Sequence, residues 1–132
     1  MAFSMDMGAA ARRHLVAADF LAAPGGRKDV AGYLYGIAAE CAVKAMMIEA
    51  GLRPRIDRRD GPFYEHFPDL RTSLRDTLHG RKGTPLISFI YNDAFMNNWS
   101  TDMRYSHGKD IDVRWIDAWA GQARQAVASI GT

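Results

Sequence analysis

Apolar residues recur along this chain at intervals of three and four, and the recurrence breaks at clusters of glycine, proline and charge. Five helices follow from that pattern. The first spans 5–22, with Met7, Ala11, His14, Ala18 and Leu21 on one stripe, and Pro24-Gly25-Gly26 ends it. The second spans 28–50, with Asp29 at its N-cap or in its first turn, where a carboxylate suits the positive end of the helix dipole. Gly51 closes it as the residue after the C-cap. Residues 52–66 make a polar connection with Gly61-Pro62 as a turn signal, long enough to suggest a functional or mobile loop. The third helix opens through His66-Phe67-Pro68-Asp69-Leu70 and carries Leu70, Leu74 and Leu78 to about residue 79, until Gly80-Arg81-Lys82-Gly83 breaks it. The fourth covers about 85–98, with Leu86, Ile87, Phe89, Ile90, Ala94 and Phe95 facing inward. A polar junction, 99–110, precedes the fifth, which starts at Asp112 and reaches about Ala128 on Ile116, Trp119, Ala120, Ala123, Val127 and Ile130. No sustained period-two alternation competes. The expected fold is all-α: one up-and-down helical bundle of about five helices over residues 1–132.

Composition narrows the classes. A chain of 132 residues suits one domain with a real core, and 48% hydrophobic with 24% charged residues is ordinary for a globular protein. A net charge of +2 is too balanced to argue for nucleic acid from bulk charge, although a local basic face is compatible with it. One cysteine, Cys41, excludes an internal disulfide and a multi-cysteine zinc site; in its apolar run it reads as a small buried hydrophobe. No stretch approaches the ~20 apolar residues that span a bilayer. The N-terminal Met-Ala-Phe-Ser-Met-Asp-Met lacks the basic start of a signal peptide. A cytoplasmic protein without a membrane partner is expected.

The second helix is apolar on most sides, which suits the middle of a bundle. Its interior charges, Glu40 and Lys44, stand four apart in the favourable order, so they are expected to form a structural ion pair with each other or with a neighbouring helix. His14 reads as a packed structural histidine. Arg53, Arg55, Arg58 and Arg59 in the polar connection suit phosphates, with Asp57 and Asp60 partly offsetting them. Trp99, Tyr91 and Phe95 fit either an interface or the core.

Familiar chemistry is mostly missing. The four histidines, His14, His66, His79 and His107, show no metal-ligand spacing, glycine forms no phosphate-cradling loop, and no serine nucleophile elbow occurs. No metal or other cofactor is expected. Trp-Ser-Thr-Asp-Met-Arg-Tyr-Ser-His, residues 99–107, concentrates polar chemistry at a helix junction. Metal-free RNA cleavage needs a proton-transferring group, which histidine suits with its reference pKa of about 6.5. It also needs a cation for the phosphorane, which the guanidinium fork suits. Arg104 and His107, three apart, would share a face of a helical turn and are the catalytic candidates. Tyr105, Ser106 and Lys109 are the substrate-binding candidates. The structural alternative pairs Arg104 with Glu40 or Asp102 and uses His107 with Gly108 to cap the turn.

The string Ala31-Gly32-Tyr33-Leu34-Tyr35-Gly36-Ile37-Ala38-Ala39-Glu40-Cys41-Ala42-Val43-Lys44-Ala45 resembles the signature of HEPN domains, named for higher eukaryotes and prokaryotes nucleotide-binding. The order of elements is similar too: an Ala-rich first helix, the Ala-Ala-Glu-x-x-x-Lys helix, His-x-Pro-Asp-Leu before a short helix, then Trp99 and Arg104-Tyr105 before the last. The resemblance implies a HEPN-like helical bundle, usually a homodimer. Many members are metal-independent ribonucleases of toxin or defence systems, opposed by a nucleotidyltransferase antitoxin. Others are non-catalytic and bind nucleotide, RNA or a partner nucleotidyltransferase. The family pattern separates its arginine and histidine by four to six residues, whereas Arg104 and His107 are separated by two. Arg59 and His66 match the spacing with six between, but Gly61 and Pro62 interrupt them in a different connection. Arg104 therefore carries over best.

Overall fold

The computed structural model describes residues 4–55, 57–78 and 85–132; His79 and the expected break at 80–83 lie outside them. Among these residues stand five α-helices: α1 (Met7–Ala22), α2 (Lys28–Glu49), α3 (Asp69–Thr77), α4 (Pro85–Ile90) and α5 (Val113–Ala128). Two single 3-10 turns, Pro62–Tyr64 and Thr101–Tyr105, join them, and the described residues include no strand.

The helix ends follow local chemistry. Asp6 caps α1 by accepting from Ala9 N at 2.9 Å. Asp112 caps α5 by accepting from Arg114 N at 2.8 Å. At the end of α2, Gly51 takes φ +95°, Gly51 N donates to Ile48 O and Leu52 N to Met47 O, both at 3.0 Å. These two bonds satisfy carbonyls the helix itself leaves open.

The interior is built around α2, which packs against α1 and α5 and more lightly against α4 and the second 3-10 turn. Thirteen of its residues are buried, including Ala31, Ala38, Ala39, Ala42 and Val43, as expected for a central helix. Two glycines inside it receive indoles. A Cβ on Gly36 would stand 1.9 Å from the Trp99 ring, and one on Gly32 would meet Trp119 at 3.1 Å. Trp99 Nε1 also donates to Gly32 O at 3.2 Å. Trp99 and Phe95 are core residues, 2% and 1% exposed, while Tyr91 stands half in solvent.

One side-chain cluster ties three helices. The Tyr35 hydroxyl on α2 donates to Asp19 Oδ1 on α1 at 2.6 Å, and Arg124 on α5 donates to the same oxygen at 2.5 Å. The Arg124 guanidinium also lies 5.8 Å from the centre of the Tyr35 ring.

Two expectations are corrected. The fourth helix ends at Ile90 rather than near Asn98. Beyond it, α5 captures the backbone: Gln122 accepts from Met96 N at 2.8 Å and donates to Ala94 O at 3.0 Å, and Trp119 Nε1 donates to Asn97 O at 2.9 Å. Those bonds replace a helical ladder, and Met96 and Asn98 turn to positive φ, 54° and 69°.

The second correction concerns Glu40, which does not close on Lys44. Its Oε2 lies 2.8 Å from His66 Nδ1 and its Oε1 accepts from Phe67 N at 2.8 Å, fixing the approach to α3 onto α2. Lys44, 6% exposed, feels Glu40 only as a neighbouring charge. A backbone N–H and an imidazole from another segment satisfy the buried carboxylate better than one flexible ammonium on the same helix. Burial pushes the Glu40 carboxyl up, against His66 and the Phe67 N–H, and burial pushes the Lys44 ammonium down, against Glu40. His14 bonds within its own helix, Nδ1 to Ala10 O at 2.7 Å, and Cys41 is partly buried.

Candidate functional site

A cleft of about 320 Å³ opens where the start of α2 meets the junction before α5. Arg27, Asp29, Val30 and Tyr33 line one side; Met103, Arg104, Ser106, His107, Gly108 and Ile111 line the other. Tyr33 is anchored by stacking on the buried Trp99, with centroids 5.7 Å apart and planes 17° from parallel.

The junction is bent to reach this position. The 3-10 turn ends at Tyr105 and Ser106 is extended, so Arg104 and His107 do not share a helical turn. They share the cleft by a different route. Ser106 Oγ accepts from Gly108 N at 3.1 Å, and His107 Nδ1 accepts from Lys109 N at 3.0 Å, folding the loop back on itself. Gly108 sits at φ +89°, and a Cβ there would stand 2.3 Å from Asp29 Oδ2. Only glycine allows both the left-handed backbone and the approach to α2.

Charge in the cleft is uneven. Asp29 is engaged by Arg27, Nε to Oδ1 at 3.0 Å and a terminal nitrogen to Oδ2 at 2.5 Å, and that contact holds its carboxyl below the usual carboxylate range. Arg27 and Asp29 thus largely cancel. Arg104 keeps its charge for other partners: Nε donates to Thr101 O at 3.0 Å, the guanidinium lies 5.1 Å from the Tyr105 ring centre, and its terminal nitrogens bond nothing among the described residues. It meets neither Glu40 nor Asp102.

His107 has a defined tautomer. Because Nδ1 accepts from a backbone N–H, the neutral ring carries its proton on Nε2, which lies 3.9 Å from Asp110 Oδ2 and is too far for a hydrogen bond. The cleft therefore offers a guanidinium edge and an imidazole N–H donor. It offers no free imidazole lone pair.

Of the other sequence candidates, Ser106 lines the cleft, whereas Tyr105 and Lys109 are exposed outside its lining. Three of the four arginines of the 52–66 connection are engaged locally, Arg53 with Ile48 O and Leu52 O, Arg55 with Asp57 and Arg58 with Asp60, whereas Arg59 is exposed and bonds nothing among the described residues. Sequence reading missed Arg27, Tyr33 and the fit of Gly108 to Asp29. Adjacent Arg27 and Asp29 at a helix start, with a glycine beside the histidine, were the only available signals.

Searches of protein-family models, curated proteins and solved structures find no match to this chain. Within the described residues, no helix is long and apolar enough to cross a membrane.

Proposed function

We propose that the chain is a HEPN-like module that binds single-stranded RNA through its phosphates, in the cleft between the start of α2 and the 103–111 junction. The observation that carries this reading is that Arg104, whose terminal nitrogens bond nothing among the described residues, and His107 both line one open cleft whose lining carboxylate, Asp29, is already taken by Arg27. A guanidinium edge fits a phosphate bidentately, and an imidazole N–H adds a directed donor. Tyr33 gives the cleft an aromatic wall of the kind on which unpaired bases stack.

Cleavage is the second reading, favoured by the same pairing of guanidinium and imidazole. It asks more of the molecule. To act as base or acid, His107 must free Nδ1 from Lys109 N, so the 107–109 turn must open in the complex. The homodimer and the nucleotidyltransferase partner are extensions of the family reading; light scattering of the purified chain tests the first.

The deciding experiment mixes the protein with labelled single-stranded RNA in EDTA and records anisotropy and strand length together. Arg104→Ala should weaken binding by about tenfold or more, the loss of one charge-assisted pair. His107→Ala should weaken it less. Intact strands with saturable binding support the binding module. Shortened strands that stay intact with either variant support the nuclease. No binding by the wild-type chain at low salt overturns both.

A further inference from the structure

A second groove, of about 500 Å³, runs between the start of α3 and the segment that α5 holds out of helix. Pro68 and Arg71 form one side, and the chain from Met96 to Ser100, with Asp102, forms the other. Arg104 and His107 are not among its lining residues.

Arg71 is set apart by an enclosed, unpartnered Nε rather than by lacking a carboxylate, which Arg12, Arg13 and Arg59 also lack among the described residues. Arg27, Arg55, Arg58, Arg75, Arg114 and Arg124 each hold a carboxylate. Arg71 is half-buried and forms no hydrogen bond or ion pair among the described residues, and its Nε is fully enclosed without an acceptor. The enclosed Nε is out of reach of a groove ligand, but the terminal nitrogens of Arg71 are not enclosed and likewise bond nothing among the described residues, so the guanidinium is free to take an acceptor from the groove. Its surroundings favour one. Arg71 stands in the first turn of α3, at the positive end of the helix dipole, and the charge of Arg75 adds to it, offset in part by Asp69 in the same turn and by Asp93. Arg75 itself is taken up by Asp93 and Ile90 O.

The opposite wall is the backbone that α5 holds out of helix. Met96 and Asn98 both hold positive φ without being glycine. The bonds from Gln122 and Trp119 hold that shape. Here they present Asn97, Asn98 and Ser100 to the groove, with the exposed Asp102 carboxylate at its edge. Asp102 would repel a bare anion but would accept from a hydroxyl.

We propose that this groove binds a small hydroxylated phosphomonoester, with Arg71 anchoring the phosphate and Asp102 accepting from a hydroxyl. The volume falls within the roughly 300–1,000 Å³ of small-molecule pockets. The site is separate from the RNA cleft and does not depend on it.

The test follows the arginine Nε–H signals by NMR while ribose 5-phosphate, inorganic phosphate and acetate are titrated into the intact chain. The Arg71 signal, identified by its loss in Arg71→Gln, should shift saturably with ribose 5-phosphate at concentrations below about 10 mM. Binding should be at least about fivefold weaker for inorganic phosphate and weaker still for acetate. Asp102→Asn, an exposed change that leaves folding alone, should loosen ribose 5-phosphate and tighten inorganic phosphate. Arg104→Ala should weaken RNA binding and keep this titration. No saturable shift, unchanged affinity in Arg71→Gln, equal affinity for all three probes, or Asp102→Asn moving both phosphates in the same direction overturns the proposal.

Discussion

Single glycines carry much of the specification. In α2, Gly36 gives its side-chain space to Trp99, with 1.9 Å between a hypothetical Cβ and the indole. Gly36→Ala should destabilise the protein by about 3 kcal/mol or more, at or above the upper end of ordinary overpacking, because a buried indole cannot swing away. Gly121 is the opposite case: it sits inside α5, exposed, with nothing within 4 Å of its would-be Cβ. Gly121→Ala should stabilise by about 0.5–1 kcal/mol through helix propensity alone. Urea denaturation of the two variants reads both signs; similar effects of the two would refute the packing account. Gly108 differs again, since its replacement by alanine meets both a left-handed backbone and Asp29. That change should impair RNA binding even where the helical circular dichroism is intact.

Between elements, polar side chains position what the apolar stripes bring near. The Asp19–Tyr35–Arg124 cluster joins α1, α2 and α5. Burial, and then the bond to Asp19, push the Tyr35 phenol up to about 12 from its ordinary 10.0. The unfolded chain releases that proton first, so the native state holds more protons between the two values. Tyr35 therefore contributes fully below pH 10.0, and stability falls as pH rises from there to about 12. Alkaline titration of phenolate absorbance should show one phenol ionising late, and Tyr35→Phe should remove it. Glu40 does comparable work for the approach to α3. Glu40→Ala leaves the buried Phe67 N–H without its acceptor and should cost about 1–3 kcal/mol, read as a lower denaturation midpoint.

At the scale of the whole molecule, charge is balanced and the arginines outside the cleft are mostly engaged, so RNA binding by the proposed cleft must be local. Arg104 is the lining arginine left free, since Arg27 is paired with Asp29. One phosphate contact on a single strand predicts a slope of roughly −0.7 in log affinity against log salt. Arg104→Ala should remove most of that slope. A wild-type slope steeper than about −2 would bring further arginines into the interface and refute the single-cation cleft.

The periodicity of apolar residues was enough to set five helices, the central role of α2 and most of the helix ends, because those follow from local backbone bonding and from burying one face. The start of the last helix at Asp112 and Gly51 beyond a C-cap were legible for the same reason. The identity of residues 99–107 as the polar junction was legible as well. What sequence could not give was decided by contacts between segments distant along the chain. Residues 91–98 have helical spacing, yet Gln122 and Trp119 offer their backbone better partners than the next turn would. Glu40 has a suitably spaced lysine, yet the Phe67 N–H and His66 reach it from another segment. Arg104 and His107 meet at one cleft because Gly108 can press against Asp29, some eighty positions earlier in the chain. Local spacing fixes which groups a helix can turn to one side, and packing alone fixes which of them meet.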